Sequence, residues 1–356
     1  MSPWCRTPAL AILALGCERS GPSDPPAAAS GCATLQVIAP GERLHDALAQ
    51  ATPGSCIHLG AGRHVLRSTA TIDRSGEPGA PIVLAAQGDA IIDGSAIADG
   101  PTLAVAANHV IVRGLAFEGT PTVGEHNVVV IEGDEGRHGR GVVLRDCVVT
   151  GGHDQLKIRG MATGVLVESC EFHGAFGHIP ISITGAQALT IRNNVFHDWH
   201  AGDDGALQIK GGSRQVRVEA NLFRDIGGPA GALALGDGCG ASCDHDPEHY
   251  AAREIVAAHN RFERVARPFD VLGCRSCLLL HNVMVGCGYE TAAIKLGVAE
   301  TNGAQRASLD TRVIGNRFVA AGVPADALVQ VVGDAARGLT WAANFLDTHP
   351  LGRPQG

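Results

Sequence analysis

The sequence predicts an all-β solenoid in which short strands stack coil on coil, and three observations predict it. The first is a phrase that recurs from the middle of the chain to its end: an alternating apolar run closed by Asn or Cys, one residue, then Phe. It reads Val165-Leu-Val-Glu-Ser-Cys170-Glu-Phe172, Leu189-Thr-Ile-Arg-Asn-Asn194-Val-Phe196, Val216-Arg-Val-Glu-Ala-Asn221-Leu-Phe223 and Ile255-Val-Ala-Ala-His-Asn260-Arg-Phe262, with weaker copies at Leu115, Cys147, Asn282, Asn316 and Asn344. Spacings of 22 to 28 residues dominate, lengthened to between 32 and 39 where a loop is inserted. A period of this size with two-residue alternation marks a repeat built of strands. The second observation is another phrase between copies of the first: Leu156-Lys-Ile-Arg-Gly160, Ile181-Ser-Ile-Thr-Gly185, Leu207-Gln-Ile-Lys-Gly211, Phe269-Asp-Val-Leu-Gly273 and Val329-Gln-Val-Val-Gly333. Each coil therefore carries at least two strands. The third is composition: 47 Gly in 356 residues, with only 9 Phe, 3 Trp and 2 Tyr, suits many tight turns around a narrow aliphatic core. Stacking such units about 4.8 Å apart pairs the backbone groups of successive coils and piles equivalent side chains into columns, where inward Asn ladders and Phe stacks. The expected fold is a right-handed parallel β-helix with a short N-terminal capping helix.

Taken in order, residues 1–17 read as a targeting segment. Arg6 supplies a positive start, Leu10-Ala-Ile-Leu-Ala-Leu15 an apolar run, and Gly16-Cys17 a small residue before cysteine. This segment resembles a bacterial lipoprotein signal, which implies lipidation of Cys17, a membrane anchor, and an exported protein of the outer membrane, periplasm or cell surface. Residues 18–31 read as a flexible tether rich in Pro, Ser and Ala. The β-helix domain is expected over 32–349, followed by a tail at 350–356. Near its start Leu44-His-Asp-Ala-Leu48 is amphipathic and is expected to form the cap, between Cys32 and Cys56. Export permits disulfides, so a Cys32–Cys56 bridge is expected, with one or two more among Cys239, Cys243, Cys274, Cys277 and Cys287. Zinc is the competing use of those later thiols, with His245 and His249 nearby. Cys147 and Cys170 fall in the Asn column and are expected as buried thiols. No later apolar run is long enough to span a membrane. A net charge of −8, without a basic tail or zinc-finger spacing, excludes nucleic acid as a partner.

The second phrase places the chemistry. If Leu156 and Ile158 point inward, Gln155, Lys157 and Arg159 point outward, with His153 in phase. The next two coils turn out His178, Ser182 and Thr184, then Asp204, Gln208 and Lys210. Three columns follow: His153, His178 and Asp204; Lys157, Ser182 and Gln208; Arg159, Thr184 and Lys210. Of 28 basic residues only three are lysine, and Lys157, Lys210 and Lys295 all fall on outward positions of this strand family. A lysine amine, unlike a guanidinium, can lose its proton under the influence of neighbouring cations and serve as a general base. His153 and His178 with Asp203 and Asp204 are also adequate ligands for a divalent metal. The plainer readings are that polar residues belong at outward strand positions, and that adjacent Asp residues in a turn serve backbone hydrogen bonding.

The strand phrases, together with the early segment from Leu44 to Gly94, resemble the pectate-lyase-like superfamily over residues 32 to 346. The N-terminal part is similar to chondroitinase B and alginate lyase-type proteins, and Gly205-Ala-Leu-Gln-Ile-Lys-Gly-Gly-Ser213 to uncharacterised bacterial β-helix-repeat proteins. The resemblance implies an exposed groove along one sheet, an acidic polysaccharide as substrate, Lys or Arg bases, and a divalent cation such as calcium that neutralises the uronate carboxylate. The acidic calcium-ligand and Lys-Ser pattern of those lyases is absent here. The implied chemistry is β-elimination, in which a base removes the proton next to the carboxylate and positive charge stabilises the enolate-like anion. Lys157 or Lys210 is the expected base, Arg159 the group that holds the carboxylate, and His153 or His178 the alternative base or acid. Gln155, Ser182, Gln208, Asp237 and Lys295 are the expected substrate contacts. Asp203 and Asp204 resemble the paired carboxylates of polygalacturonase-like hydrolases, which makes hydrolysis a second reading. A tethered solenoid that grips a polyanion without breaking it is a third. The loop from Gly236 to Arg253 is expected to wall the groove, and its acidic residues offer calcium an alternative seat.

Overall fold

The computed structural model describes residues 32–119, 126–134, 138–174, 179–199, 205–288, 292–319 and 328–347. The signal and tether with Cys17, the expected site residues His178, Asp203 and Asp204, and the tail at 350–356 lie outside the described residues.

Every coil contributes one strand to an 11-stranded front sheet and others to a 23-stranded array behind it. The front strands are β1 (Ala70–Ile72), β2 (Leu103–Val105), β3 (Val129–Glu132), β4 (Asp154–Arg159), β5 (Ile179–Thr184), β6 (Leu207–Lys210), β7 (Leu233–Leu235), β8 (Phe269–Leu272), β9 (Ile294–Thr301), β10 (Ala304–Ala307) and β11 (Val329–Val331). From β1 to β9 they pair in sequence order and in parallel, and β11 continues the stack from β9. Only β10 runs antiparallel, on the far half of β9.

Alternation explains the core. Leu156, Ile181, Leu207, Leu233, Phe269 and Ile294 form one inward column, and Ile158, Ile183, Ile209, Leu235, Val271 and Leu296 the next, all with no exposed surface. Each such side chain contributes roughly 1.5–3 kcal/mol by leaving water. Behind them Phe172, Phe196, Phe223 and Phe262 stack in register with centroids 5.2, 4.7 and 4.8 Å apart. Phe269 meets the last of these edge-on at 4.7 Å, which ties the front sheet to the back array.

The Asn and Cys positions sit at a corner that separates two back strands. The residue just before each one, from Asp146 and Ser169 through Asn193, Ala220, His259, His281 and Gly315 to Ala343, has φ between 52 and 64°. This left-handed conformation costs a non-Gly residue about 1–2 kcal/mol, and the column beside it offsets the cost. The backbone N–H of Asn194 donates to Asn221 Oδ1 at 2.9 Å and its Nδ2 donates to the same oxygen at 3.0 Å. The double contact repeats from Asn221 to Asn260, Asn282, Asn316 and Asn344. Cys147 and Cys170 occupy the head of the column as buried thiols.

A six-residue helix, α1 (Leu44–Ala49), follows the first back strand and buries Leu44, Ala47 and Leu48. Cys32 and Cys56 are joined across the first two strands, and Cys239–Cys243 and Cys274–Cys277 are the other disulfides among the described residues. Cys287 is a buried free thiol. Among the described residues no helix is long and apolar enough to cross a membrane.

Candidate functional site

The register builds the outward columns of the front sheet as the alternation implies. Val130, Lys157, Ser182, Gln208, Ala234, Asp270, Lys295 and Gln330 follow one another in one column, and Glu132, Arg159, Thr184 and Lys210 in the next. All three lysines thus share one face. Lys157 and Lys295 are separated by five coil steps in the same column, about 24 Å at the inter-strand spacing.

Outward does not mean exposed. Gln155, Ser182 and Gln208 are 0, 2 and 3 % exposed, because later segments lie over the sheet. Gln155 Nε2 donates to the carbonyl of His173 at 2.6 Å, and Gln208 Nε2 to Asp237 Oδ2 at 2.5 Å. Lys157 is held by Asp154, whose carboxylate is buried, accepts from Lys157 Nζ at 3.1 Å and stands 3.3 Å from His153 Nδ1. Arg159 donates to Glu132 Oε2 at 2.8 Å, both half-exposed. Two of the expected catalytic cations are therefore already paired with acids. Lys210 and Lys295 make no side-chain ion pair among the described residues.

A cleft of about 270 Å³ opens where the column drops to Ala234, the smallest member between Gln208 and Asp270. Gln208 and Asp237 line one part of it, Arg267, Asp270 and Lys295 another, and Pro229 and Ala230 complete the wall. Asp270 is buried and anchored on both oxygens: Oδ2 accepts from Gly231 N–H at 2.8 Å and Oδ1 from Arg267 Nη1 at 3.3 Å. Arg267 and Asp270 are three residues apart at the start of β8, as Asp154 and Lys157 are at the start of β4, and Lys157 and Asp270 share a column. The same i,i+3 ion pair thus recurs four coils on with its signs exchanged. Asp154, Arg267 and Asp270 escaped the sequence reading; the signal was there in Asp154-Gln-Leu-Lys157 and Arg267-Pro-Phe-Asp270, opposite charges spaced to close over an inward residue.

The loop after β7 is a built wall. Asp237 is fixed by Gly238 N–H at 2.7 Å, the loop is closed by Cys239–Cys243, and Cys239 N–H and Arg306 Nε dock it on the β9–β10 hairpin at 3.0 and 2.8 Å. Its other acids are engaged: Asp244 by His249 and Asp246 N–H, Asp246 by Arg253, Glu248 by Arg253 and Arg275. The residues expected as an alternative calcium seat therefore serve the loop's own structure. Among the described residues the one group of three metal-ligating side chains is Cys32, Cys56 and His58, where the two thiols are spent in a disulfide. A second cleft, about 300 Å³ between this loop and the back array, is lined by Arg214, Asp246, Glu248 and Arg253. Arg253 is paired there with both Asp246 and Glu248, whereas Lys295 of the front cleft makes no ion pair among the described residues.

No family model and no curated protein matches the chain. Solved structures do. An alginate lyase from Paenibacillus sp. str. FPU-7 superimposes with a TM-score of 0.59 at 16% identity, covering 86% of this chain and 99% of that one. A mannuronic acid specific polysaccharide family 6 lyase from human gut microbiota gives 0.61 at 13%, covering 88% and 78%. The endo-xylogalacturonan hydrolase of Aspergillus tubingensis gives 0.60 at 11%, covering 88% and 93%. At such identities likeness carries the backbone and not the chemistry. The chain has the right-handed parallel β-helix fold that these polysaccharide lyases and this hydrolase share.

Proposed function

We propose that the chain is an exported β-helix protein that binds an acidic polysaccharide along the front sheet and breaks it by β-elimination. One observation carries the reading: the front cleft joins an unpaired lysine, a second cation and an amide on the face that holds every lysine of the chain. Lys295, in the cleft and without an ion pair among the described residues, is the base in this proposal, and Lys210 in the neighbouring column is the alternative. Arg267 supplies positive charge where the carbanion next to the sugar carboxylate develops. Lys157 and Arg159, paired with Asp154 and Glu132, serve the chain further along as carboxylate contacts. In the same reading α1 caps the first coil and Cys17 carries a lipid that tethers the domain to a membrane.

Hydrolysis is the second reading, because Asp237 and Asp270 place two carboxylates in one cleft. Both are already hydrogen-bonded acceptors, which disfavours either as the proton donor that hydrolysis needs. The test is a screen of alginate, pectate, chondroitin and heparin-type polymers, with and without calcium, that follows near-ultraviolet absorbance and reducing ends together. Elimination produces both signals. Reducing ends without absorbance mean hydrolysis, and binding without either signal means a non-catalytic solenoid.

A further inference from the structure

We infer that Gln208 is the hydroxyl-reading group of the front cleft, accepting a hydrogen bond from a sugar O–H at its Oε1 while the acidic group of the same ligand lies toward Arg267 and Lys295. The inference rests on the reading above that the cleft takes an acidic sugar chain.

Orientation is the heart of the argument. Asp237 is a carboxylate, able only to accept, so the Gln208 amide must present its nitrogen to Asp237 and its oxygen away from it. Rotating the amide by 180° would set oxygen against oxygen. Asp237 in turn is fixed by Gly238 N–H in a loop closed by the Cys239–Cys243 bridge. The Gln208 side chain, 3 % exposed, therefore holds its Oε1 in one place, and no group of the described residues donates to that buried atom. An unpaired buried acceptor costs about 1–3 kcal/mol, a cost that a ligand's donor removes on binding. Gln208 lines the cleft, and the next residue in its column is the small Ala234; Oε1 itself has almost no exposed surface, so the ligand's hydroxyl must displace the adjoining wall to meet it.

The chemistry of the missing partner follows. A carboxylate brings no donor at neutral pH, so the ligand's acid group belongs at the cationic part of the cleft, beside Arg267 and next to the proton that Lys295 removes, and the group at Gln208 is a hydroxyl. Gln155 is a useful contrast: its Oε1 is also buried without a donor, but it does not line the cleft. Asp237 is a positioning residue in this scheme, acting through the Gln208 amide. Because a site built to bond a hydroxyl leaves its own polar atom unpaired when the hydroxyl is absent, it discriminates against blocked analogues.

The experiment measures binding of tetrasaccharides of mannuronate, guluronate and galacturonate, each free and O-acetylated at its ring hydroxyls, by calorimetry with and without calcium. The proteins are the mature chain, Gln208→Ala, Asp237→Asn and Lys295→Ala, each checked by thermal melting. For the free oligomer that binds, Gln208→Ala is expected to weaken affinity about tenfold, and acetylation to weaken the wild type by a similar factor but not Gln208→Ala. Asp237→Asn, which lets the amide turn, gives a smaller loss and blunts the discrimination. Equal affinity of wild type and Gln208→Ala for the free oligomer overturns the inference alone. Binding that needs calcium in the wild type and loses that need in Gln208→Ala makes Gln208 a cation ligand and also overturns it. If the wild type binds no uronate oligomer, the acidic-polysaccharide reading falls and takes this inference with it.

Discussion

The Asn column at the back corner and the Lys157 column on the front face run the length of the same solenoid, yet one repeats and the other does not. From Asn194 to Asn316 each Asn is buried, donates twice to the next Asn and closes on a backbone carbonyl of the preceding coil. Along the front column the sequence is Lys157, Ser182, Gln208, Ala234, Asp270, Lys295, with no two neighbours alike and one buried acceptor that has no donor among the described residues. Repetition satisfies the stack with one solution used again in each coil. Departure from repetition, at the cost of unsatisfied polar groups, marks where the molecule is shaped for something other than its own stability.

The largest effect expected from this contrast is on folding. Asn221→Ala removes two acceptor contacts from Asn194 and two donor contacts to Asn260 and Ile191, leaving buried groups unpaired. It should destabilise the domain by about 3 kcal/mol in denaturant titration. Gln208→Ala removes one donor contact to Asp237 but also a buried oxygen without a donor among the described residues; these effects oppose, and stability should change by no more than about 1 kcal/mol. Equal losses would erase the distinction between the two columns.

A smaller effect concerns the thiols packed inside. Burial pushes the Cys287 thiol up to about 12, and a hydrogen bond donated by Cys170 to Cys147, together with burial, drives the Cys170 thiol far above its ordinary range. Neutral thiols are poor nucleophiles, so Cys170 and Cys287 should resist a thiol-specific reagent in the native protein and react on unfolding, and burial alone should shield Cys147. The sign of the pH dependence follows. Above about pH 9 the unfolded chain releases thiol protons that the folded one keeps, so stability falls as pH rises through the alkaline range. Native reaction at neutral pH would mean that the corner opens.

Much of the inside was legible. The spacing of Asn, Cys and Phe located the columns, and parity at Leu156 and Ile158 assigned Lys157, Arg159, Ser182, Gln208 and Lys210 to the outer face in the observed register. Burial of Gln155, Ser182 and Gln208 was not legible, because alternation tells which way a side chain points and not what lies over it. Their cover comes from distant chain, including His173 and Asp237, at positions set by loop conformation instead of by period. Asp154 was hidden for a related reason. It shares parity with inward Leu156, and only the glycine turn before it, at Gly151 and Gly152 with φ of 73 and 71°, delivers its carboxylate to Lys157 and His153. The cleft itself depends on Ala234, a residue with no chemical signal, being small.

The most direct test of the front face as the working surface compares Lys295→Ala with Arg217→Ala. Arg217 is an exposed cation of the back array, paired with Glu219, and removing it changes net charge equally. On the polymer that gives unsaturated product, Lys295→Ala should lower the rate at least about 100-fold while Arg217→Ala leaves it unchanged. Equal rates in the two variants would place the chemistry away from this cleft and contradict the account.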